Sequence, residues 1–452
     1  MNKGFYRIIT SLLILLFTIP AMAQEGGATG AYSPYTIYGV GDLSTGGTSH
    51  NRSMGGVGVA LRNRRFINTM NPAAVTARDT LAFMADFGLS QKNVVFRQNI
   101  DGSPIKSAHN TFNIYDFVMS FPIWRSSAFM VGITPFSDLG YSYVSTVTDP
   151  EIIGHTNKIT YNSYGEGGMY QVFLAAGATF WKRLSIGAEL DYYFGTLDKV
   201  SNQTYADASI RSVNSGNNLN LKGIGGKFGL QYEQRLNDNL VLGVGLTYRL
   251  KTNLKGFAKT YRYATASSVT DTLKFQTDTL GRKHGKPVSL GDEIGVGISL
   301  KGNENWNVEF DYTRSGWGNS NFDVTSGLGV IAENSTFKST ATNAYRLGFE
   351  ITPNRNDVRY YFRRCTYRVG AYHENMYYKL DGNLISASGI TLGITLPVYR
   401  WYNGITIGID FGKKGNLRAT ADPTRSMIRE TYCTFNIGFN LHDIWFRKQQ
   451  YE

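Results

Sequence analysis

The sequence predicts an all-β fold: a 14-stranded antiparallel transmembrane β-barrel with an N-terminal hatch, or plug, segment in its lumen. Three observations carry the barrel: an export signal at the start, fourteen runs of alternating apolar and polar residues after Thr80, and connections that alternate between short and long. The expected organisation is a signal peptide at 1–23, a hatch at 24–79, the barrel at 80–446 and a periplasmic tail at 447–452.

The signal comes first. Lys3 and Arg7 charge its start, Ile8 to Pro20 is mostly apolar, and Ala21-Met22-Ala23 fits a small-x-small cleavage site before Gln24. The apolar stretch is short of the ~20 residues of a membrane helix. No cysteine stands directly after the site, so a lipid anchor is not indicated. An exported chain of this type is expected in the Gram-negative outer membrane.

Composition narrows the function. Removing the signal lowers the net charge from +12 to +10. In the envelope that excess meets lipid head groups and phosphorylated glycolipids before any nucleic acid, so nucleic acid is not an expected partner. Cys365 and Cys433 alone make no disulfide framework. The six histidines show no H-x-x-x-H spacing, no C-x-x-C occurs, and there is no G-x-S-x-G elbow. No metal, cofactor or catalytic residue is therefore predicted, and an enzyme is not expected.

The hatch centres on SMGGVGVALRNRRFINTMNPAAV, residues 53–75. Gly56-Val57-Gly58 begins like a dinucleotide fingerprint, but Leu61 stands where the third glycine belongs and no Gly-Lys-Ser/Thr follows. Small residues at Gly55, Gly56 and Gly58 let a backbone lie close against a crowded lumen. Asn71-Pro72-Ala73 reads as the corner from plug to wall, with proline fixing one angle. Arg62, Arg64 and Arg65 are expected to find acidic partners inside the barrel.

The strand runs centre near 80–92, 111–123, 128–146, 158–180, 184–200, 219–235, 240–257, 291–301, 306–317, 343–352, 366–380, 386–398, 404–412 and 430–442. Each alternates with the period of a strand whose two faces differ. Leu242, Val244, Leu246 and Tyr248, for example, oppose Gly243, Gly245, Thr247 and Arg249. Trp124-Arg125 and Asn237-Asp238-Asn239 are short connections, whereas 254–290 and 413–429 are long and polar; an even count then puts both termini and the short turns on the periplasmic side. Several runs suit the ~9–11 residues of a tilted crossing. Aromatics at run ends, such as Tyr141/Tyr143, Tyr192/Tyr193/Phe194 and Trp445/Phe446, fit interfacial girdles.

The other face carries Glu189, Asp191, Lys227, Glu233, Arg249, Glu309, Asp311, Arg346, Glu350 and Asp410, too costly to set against lipid. They are expected in the lumen, either paired as struts or lining a passage. Arg355, Arg359, Arg363, Arg364 and Arg368 cluster near one periplasmic turn, as anchors for anionic head groups or as a docking patch.

The signal, the small-residue segment ending in Asn71-Pro72-Ala73 and the fourteen runs together resemble the FadL-type long-chain fatty-acid and hydrophobic-compound transporters. Ser33-Pro34-Tyr35, Tyr38-Gly39-Val40-Gly41-Asp42-Leu43, Met54-Gly55-Gly56-Val57-Gly58 and Asp443-Ile444-Trp445-Phe446 are similar to Bacteroidota-type members. The resemblance implies a hatch-plugged barrel and a kink in the third strand, through which a hydrophobic ligand leaves sideways into the bilayer. Pro135, Phe136 and Gly140 fall in the third run and mark the candidate opening, since proline inside a sheet signals a bulge or break; a plain bulge is the other reading. The outer loops show no dense apolar cluster to receive such a ligand. Two functions stay open: passive transport of a hydrophobic or amphipathic small molecule, or an accessory barrel in an outer-membrane assembly or secretion complex. Expected partners are accordingly outer-membrane lipid and glycolipid, a hydrophobic small molecule and other barrel proteins. An open porin fits poorly with a plug.

Overall fold

The computed structural model describes residues 32–79, 82–100, 103–124, 126–147, 158–207, 209–266, 269–280, 287–303, 305–323, 336–399, 403–419 and 426–444. The expected signal peptide, the tail, and Trp401, Tyr402, Trp445 and Phe446 lie outside these residues.

Fourteen strands form one closed antiparallel wall. In chain order they are β1 (Ala82–Ile100), β2 (Ser103–Trp124), β3 (Ser127–Val147), β4 (Ile159–Phe180), β5 (Leu184–Tyr205), β6 (Ser212–Asn237), β7 (Leu240–Arg249), β8 (Asp292–Gly302), β9 (Trp306–Gly316), β10 (Thr342–Ile351), β11 (Thr366–Leu380), β12 (Asn383–Tyr399), β13 (Asn403–Lys414) and β14 (Arg429–Ile444). Each pairs with its successor, and β1 closes on β14 from Ala82↔Ile444 to Arg97↔Arg429. Closure removes the sheet edges that hydrocarbon cannot satisfy. Side chains alternate as the pattern requires: Val244, Leu246 and Tyr248 are exposed to the lipid side while Thr247 is buried within.

Strand length is uneven. β7 to β10 have 10 or 11 residues, the length of one crossing, whereas β4, β5 and β6 have 22, 22 and 26. At about 3.3 Å per residue, the surplus amounts to roughly 40 Å or more of strand beyond the membrane on the outer side. There the expected 254–290 loop instead forms a hairpin, Lys255–Ala266 with Val269–Thr279, whose first strand continues the wall against β6 from Lys255↔Lys222 to Thr265↔Ser212. Two outer connections are also short, 101–102 and Asp381-Gly382, so long outer loops are not the rule throughout.

Residues 33–76 run through the lumen. Short helices at Pro34–Ile37, Ser49–Arg52 and Pro72–Thr76 punctuate the segment, and Ser33 and Asn71 cap the first and third through their side-chain oxygens. Wall glycines make the room. A Cβ on Gly245 would sit 2.1 Å from the Val59 carbonyl oxygen, and one on Gly370 would sit 2.2 Å from the Gly55 nitrogen. Gly187 and Gly229 stand equally close to Pro72 and Asn71. Two apolar clusters bracket the polar middle. Ile67 and Val75 pack on Met84, Met130 and Phe173 at the periplasmic end, and Tyr35 and Val40 join Leu139, Leu197, Leu219 and Tyr378 at the outer end.

Candidate functional site: the plugged lumen and the β2–β3 seam

The glycine-rich strip docks through its backbone. Gly55 and Gly56 take φ of +76° and +75°, a left-handed turn natural to glycine. The turn brings three successive amides onto two carboxylates of β9: Gly58 and Val59 donate to Asp311 Oδ2 at 2.7 and 2.9 Å, and Ala60 donates to Glu309 Oε1 at 2.9 Å. The nest that suggested a phosphate loop thus holds an anion supplied by the chain itself. Gly55 N donates to Thr391 Oγ1 at 2.8 Å, and Gln231 Nε2 and Asn71 Nδ2 donate to the Val59 carbonyl at 2.9 and 2.7 Å. Asn71 also accepts from Ala73 N at 3.0 Å, closing the Asn-Pro-Ala corner on itself.

Charged groups tie the segment at other levels. Arg62 pairs with Glu233 at 3.1 Å, whereas Arg64 is exposed and Arg65 half-buried at the periplasmic end. Arg346 pairs with Glu374 at 2.6 Å. Asp410 accepts from Tyr372 Oη at 3.0 Å, and Asp191 accepts from Gln171 Nε2 at 2.7 Å beside the buried Glu189. Glu350 meets Arg368 at 2.7 Å, and Arg368 also donates to Thr395 Oγ1 at 2.6 Å. Arg368 therefore leaves the arginine cluster expected at the periplasmic turn, because its position on β11 points inward while Val369 faces lipid. Arg359 and Arg363 stay at that turn over the Tyr360 ring, and Arg364 lies over Tyr361. Cys365 and Cys433 are free thiols.

His50 sits in the same layer, 3.5 Å from Glu350. Burial, followed by the charge of Arg368, lowers its pKa from 6.5 to about 3. The undocked state therefore binds a proton at higher pH than the docked state. Docking is expected to be strongest above about pH 6.5 and to weaken as pH falls from there toward 3. Proteolysis of the segment should accelerate between pH 7.5 and 5.5, and His50→Gln should flatten that dependence.

Among the described residues the wall parts between β2 and β3. The β1–β2 ladder continues to Ile100↔Ser103 and the β3–β4 ladder to Val147↔Ile159. The β2–β3 ladder runs only from Trp124↔Ser127 to Phe117↔Ile133. Both strands bulge where pairing ends: Tyr115 is extra on β2 and Phe136, next to Pro135, on β3. Bulges bend and twist strands, which drives this pair apart.

The inner segment covers the exposed β3 edge. Asp42 pairs with Asp138 and Leu43 with Ser137; Ser44 N donates to the Phe136 carbonyl at 3.0 Å and Ser33 N to the Gly140 carbonyl at 2.8 Å. Thr36 Oγ1 donates to the Gly140 carbonyl at 2.9 Å and accepts from the Gly140 amide at 3.2 Å. Pro135, Phe136 and Gly140 therefore stand together at the seam, Phe136 turned inward edge-on to Tyr193 with centroids 5.0 Å apart. Tyr193, Tyr141 and Tyr143 are inward residues, not part of the expected girdle; Tyr192 and Phe194 face out. Arg52 lies 4.1 Å over the Tyr115 ring and links plug to seam.

Above this layer the chain fills its own apolar cluster. Tyr377 Oη donates to the Gly41 carbonyl at 2.8 Å, Tyr378 Oη to the Tyr35 carbonyl at 3.0 Å, Lys199 Nζ to the Ile37 carbonyl at 2.7 Å, and Lys414 Nζ to Asp42 Oδ1 at 2.5 Å. The cavity left in the middle, about 360 Å³, is edged by Arg52, Lys92, Arg346, Glu374 and Asp410 on one hand and by Tyr115, Phe136 and Trp317 on the other, a lining of mixed polarity.

Solved structures share this architecture. The toluene transporter TodX of Pseudomonas putida is 14% identical with a TM-score of 0.58, covering 90% of this chain and 100% of its own. The toluene transporter TbuX of Ralstonia pickettii is 15% identical with a TM-score of 0.55, covering 87% and 97%. A FadL homologue of Pseudomonas aeruginosa is 11% identical with a TM-score of 0.55, covering 90% and 99%. At such identities the likeness is one of fold, that of a FadL-like outer-membrane barrel. No curated protein matches. Over residues 5–452 the chain matches the BamG family model, and it belongs to the BamG family.

Proposed function

We propose that this chain is a non-conducting accessory barrel of an outer-membrane protein assembly or secretion complex. The closure of its lumen carries the reading: polar ties hold the inner segment, and Tyr35 and Val40 fill the one outer apolar cluster found among the described residues. Membership of the BamG family over nearly the whole chain supports a role shared with that family rather than one taken from transporters at 11–15% identity. The periplasmic turn adds a surface for a partner, with Val358 and Phe362 exposed among Arg359, Arg363 and Arg364. In this reading residues 24–79 act as one plug and 80–446 as the wall after removal of 1–23. Gly55, Gly56, Gly58, Asn71, Pro72 and Ala73 hold the plug in place. Depletion of the chain should lower the folded amount of other outer-membrane barrels while uptake of labelled toluene and long-chain fatty acid stays unchanged. Unchanged barrel levels with reduced uptake would overturn it.

A second reading, passage of a fatty-acid-like molecule through the hatch and a lateral opening, is favoured by the β2–β3 seam at Pro135, Phe136 and Gly140. It requires residues 33–44 to leave the β3 edge. Asp42 and Asp138 are antiparallel partners, a spacing of about 4.5–5.5 Å that a disulfide spans. With both native cysteines replaced, Asp42→Cys with Asp138→Cys should cross-link in cells. Uptake that is blocked by the cross-link and restored by reductant would establish transport; unchanged uptake is expected for the accessory role.

A further inference from the structure

The outer extension of β3 to β6, with the hairpin after β7, encloses a second cavity of about 500 Å³, within the range of small-molecule sites. We propose that it binds an anionic, phosphorylated glycan. Register builds its floor. Tyr143, Ser163, Ser201, Ser215, Arg262 and Lys274 form one row across six neighbouring strands on the inner face. Tyr141, Lys199, Asn217 and Thr260 stand in the row below.

The chemistry of these rows is one-sided. Among the described residues no carboxylate lines the cavity. Lys199 is already committed to the inner segment, but Arg262 and Lys274 face each other across the hairpin, are exposed, and make no ion pair among the described residues. Asp271, two positions beyond Arg262 in register, is paired with Arg211 and does not neutralise them. A guanidinium beside an ammonium suits phosphate, which accepts from both. The Tyr141 and Tyr143 rings, stacked with centroids 6.0 Å apart, offer an apolar wall with hydroxyl tips, and the serine row supplies short donors and acceptors. Sugar rings carry both kinds of surface. The site lies on the extracellular side of the membrane, so the phosphorylated core sugars of an outer-leaflet glycolipid and a free sugar phosphate share the required chemistry. The inference does not depend on the accessory role.

The test uses the mature full-length protein. One arm titrates glucose 6-phosphate, with glucose as control, into protein in nanodiscs of phosphatidylethanolamine. The other measures glycolipid retention by native mass spectrometry after reconstitution with lipopolysaccharide that carries or lacks core phosphates. Saturable binding in the first arm marks a free sugar phosphate; phosphate-dependent retention in the second marks the glycolipid. Either should weaken at least tenfold in Arg262→Gln with Lys274→Gln and be unchanged in Lys182→Gln, at a periplasmic turn. Heat-shifted gel mobility verifies that each variant is folded. Absence of saturable binding and retention in both arms, or equal binding by the double variant, would overturn the proposal.

Discussion

Valine at Gly245 and Gly370 should drive the inner segment out of the lumen and turn a sealed barrel into a channel. The contacts it would meet are backbone atoms, Val59 O at 2.1 Å from a Cβ on Gly245 and Gly55 N at 2.2 Å from one on Gly370. Backbone cannot swing aside as a side chain can, so relief requires the whole strip to move. Each hydrogen bond holding the strip is worth roughly 0.5–1.5 kcal/mol net, and deleting those of a single side chain, as in Asn71→Ala with Pro72→Ala, should only raise leak. Two clashes, four strands apart on the wall, act together. Planar-bilayer recording should show stepwise conductance for the double glycine variant and none for the parent; a closed, folded variant would show that the seal does not depend on this fit.

Arg368→Met should be the most damaging single change for stability. Arg368 is buried, bonded to Glu350 and Thr395, and lies 5.0 Å over the Phe66 ring of the inner segment. Methionine fills much of the space but leaves the Glu350 carboxylate buried without its main partner, a loss of about 3–5 kcal/mol. A lower urea midpoint in folding into liposomes would register it. Adding Glu350→Gln to Arg368→Met should recover most of the loss, since the stranded charge is then removed; no recovery would mean that packing dominates.

The membrane-spanning part of this fold was legible because lipid imposes strict alternation. All fourteen runs coincide with strands, and Glu189, Asp191, Glu309, Asp311 and Glu350 are buried, away from the hydrocarbon that excludes charge. The outer halves were not legible. Above the membrane both faces of β1 and β2 meet water, so Gln98 to Asn110 carries no apolar period although it is strand on either side of 101–102. The hairpin after β7 reads as a polar loop for the same reason. The outer apolar cluster was hidden because it is assembled from many strands, Leu139, Met169, Leu197 and Leu219 among its members each coming from a different one. Pro135 flagged a break, but its consequence, a β3 edge satisfied by residues 33–44, is a pairing between distant segments that no local pattern encodes. Arg368 was legible by parity, since it shares the inward register with Gly370 and Tyr372; proximity to the turn arginines obscured it.

Extraction of the chain from native outer membranes in mild detergent, followed by native mass spectrometry, tests the accessory role most directly. A stoichiometric complex of this chain with another outer-membrane barrel is expected, stable when the lumen is locked by the Asp42→Cys, Asp138→Cys cross-link. Recovery of the mature chain alone, carrying a hydrophobic small molecule lost on cross-linking, would contradict it.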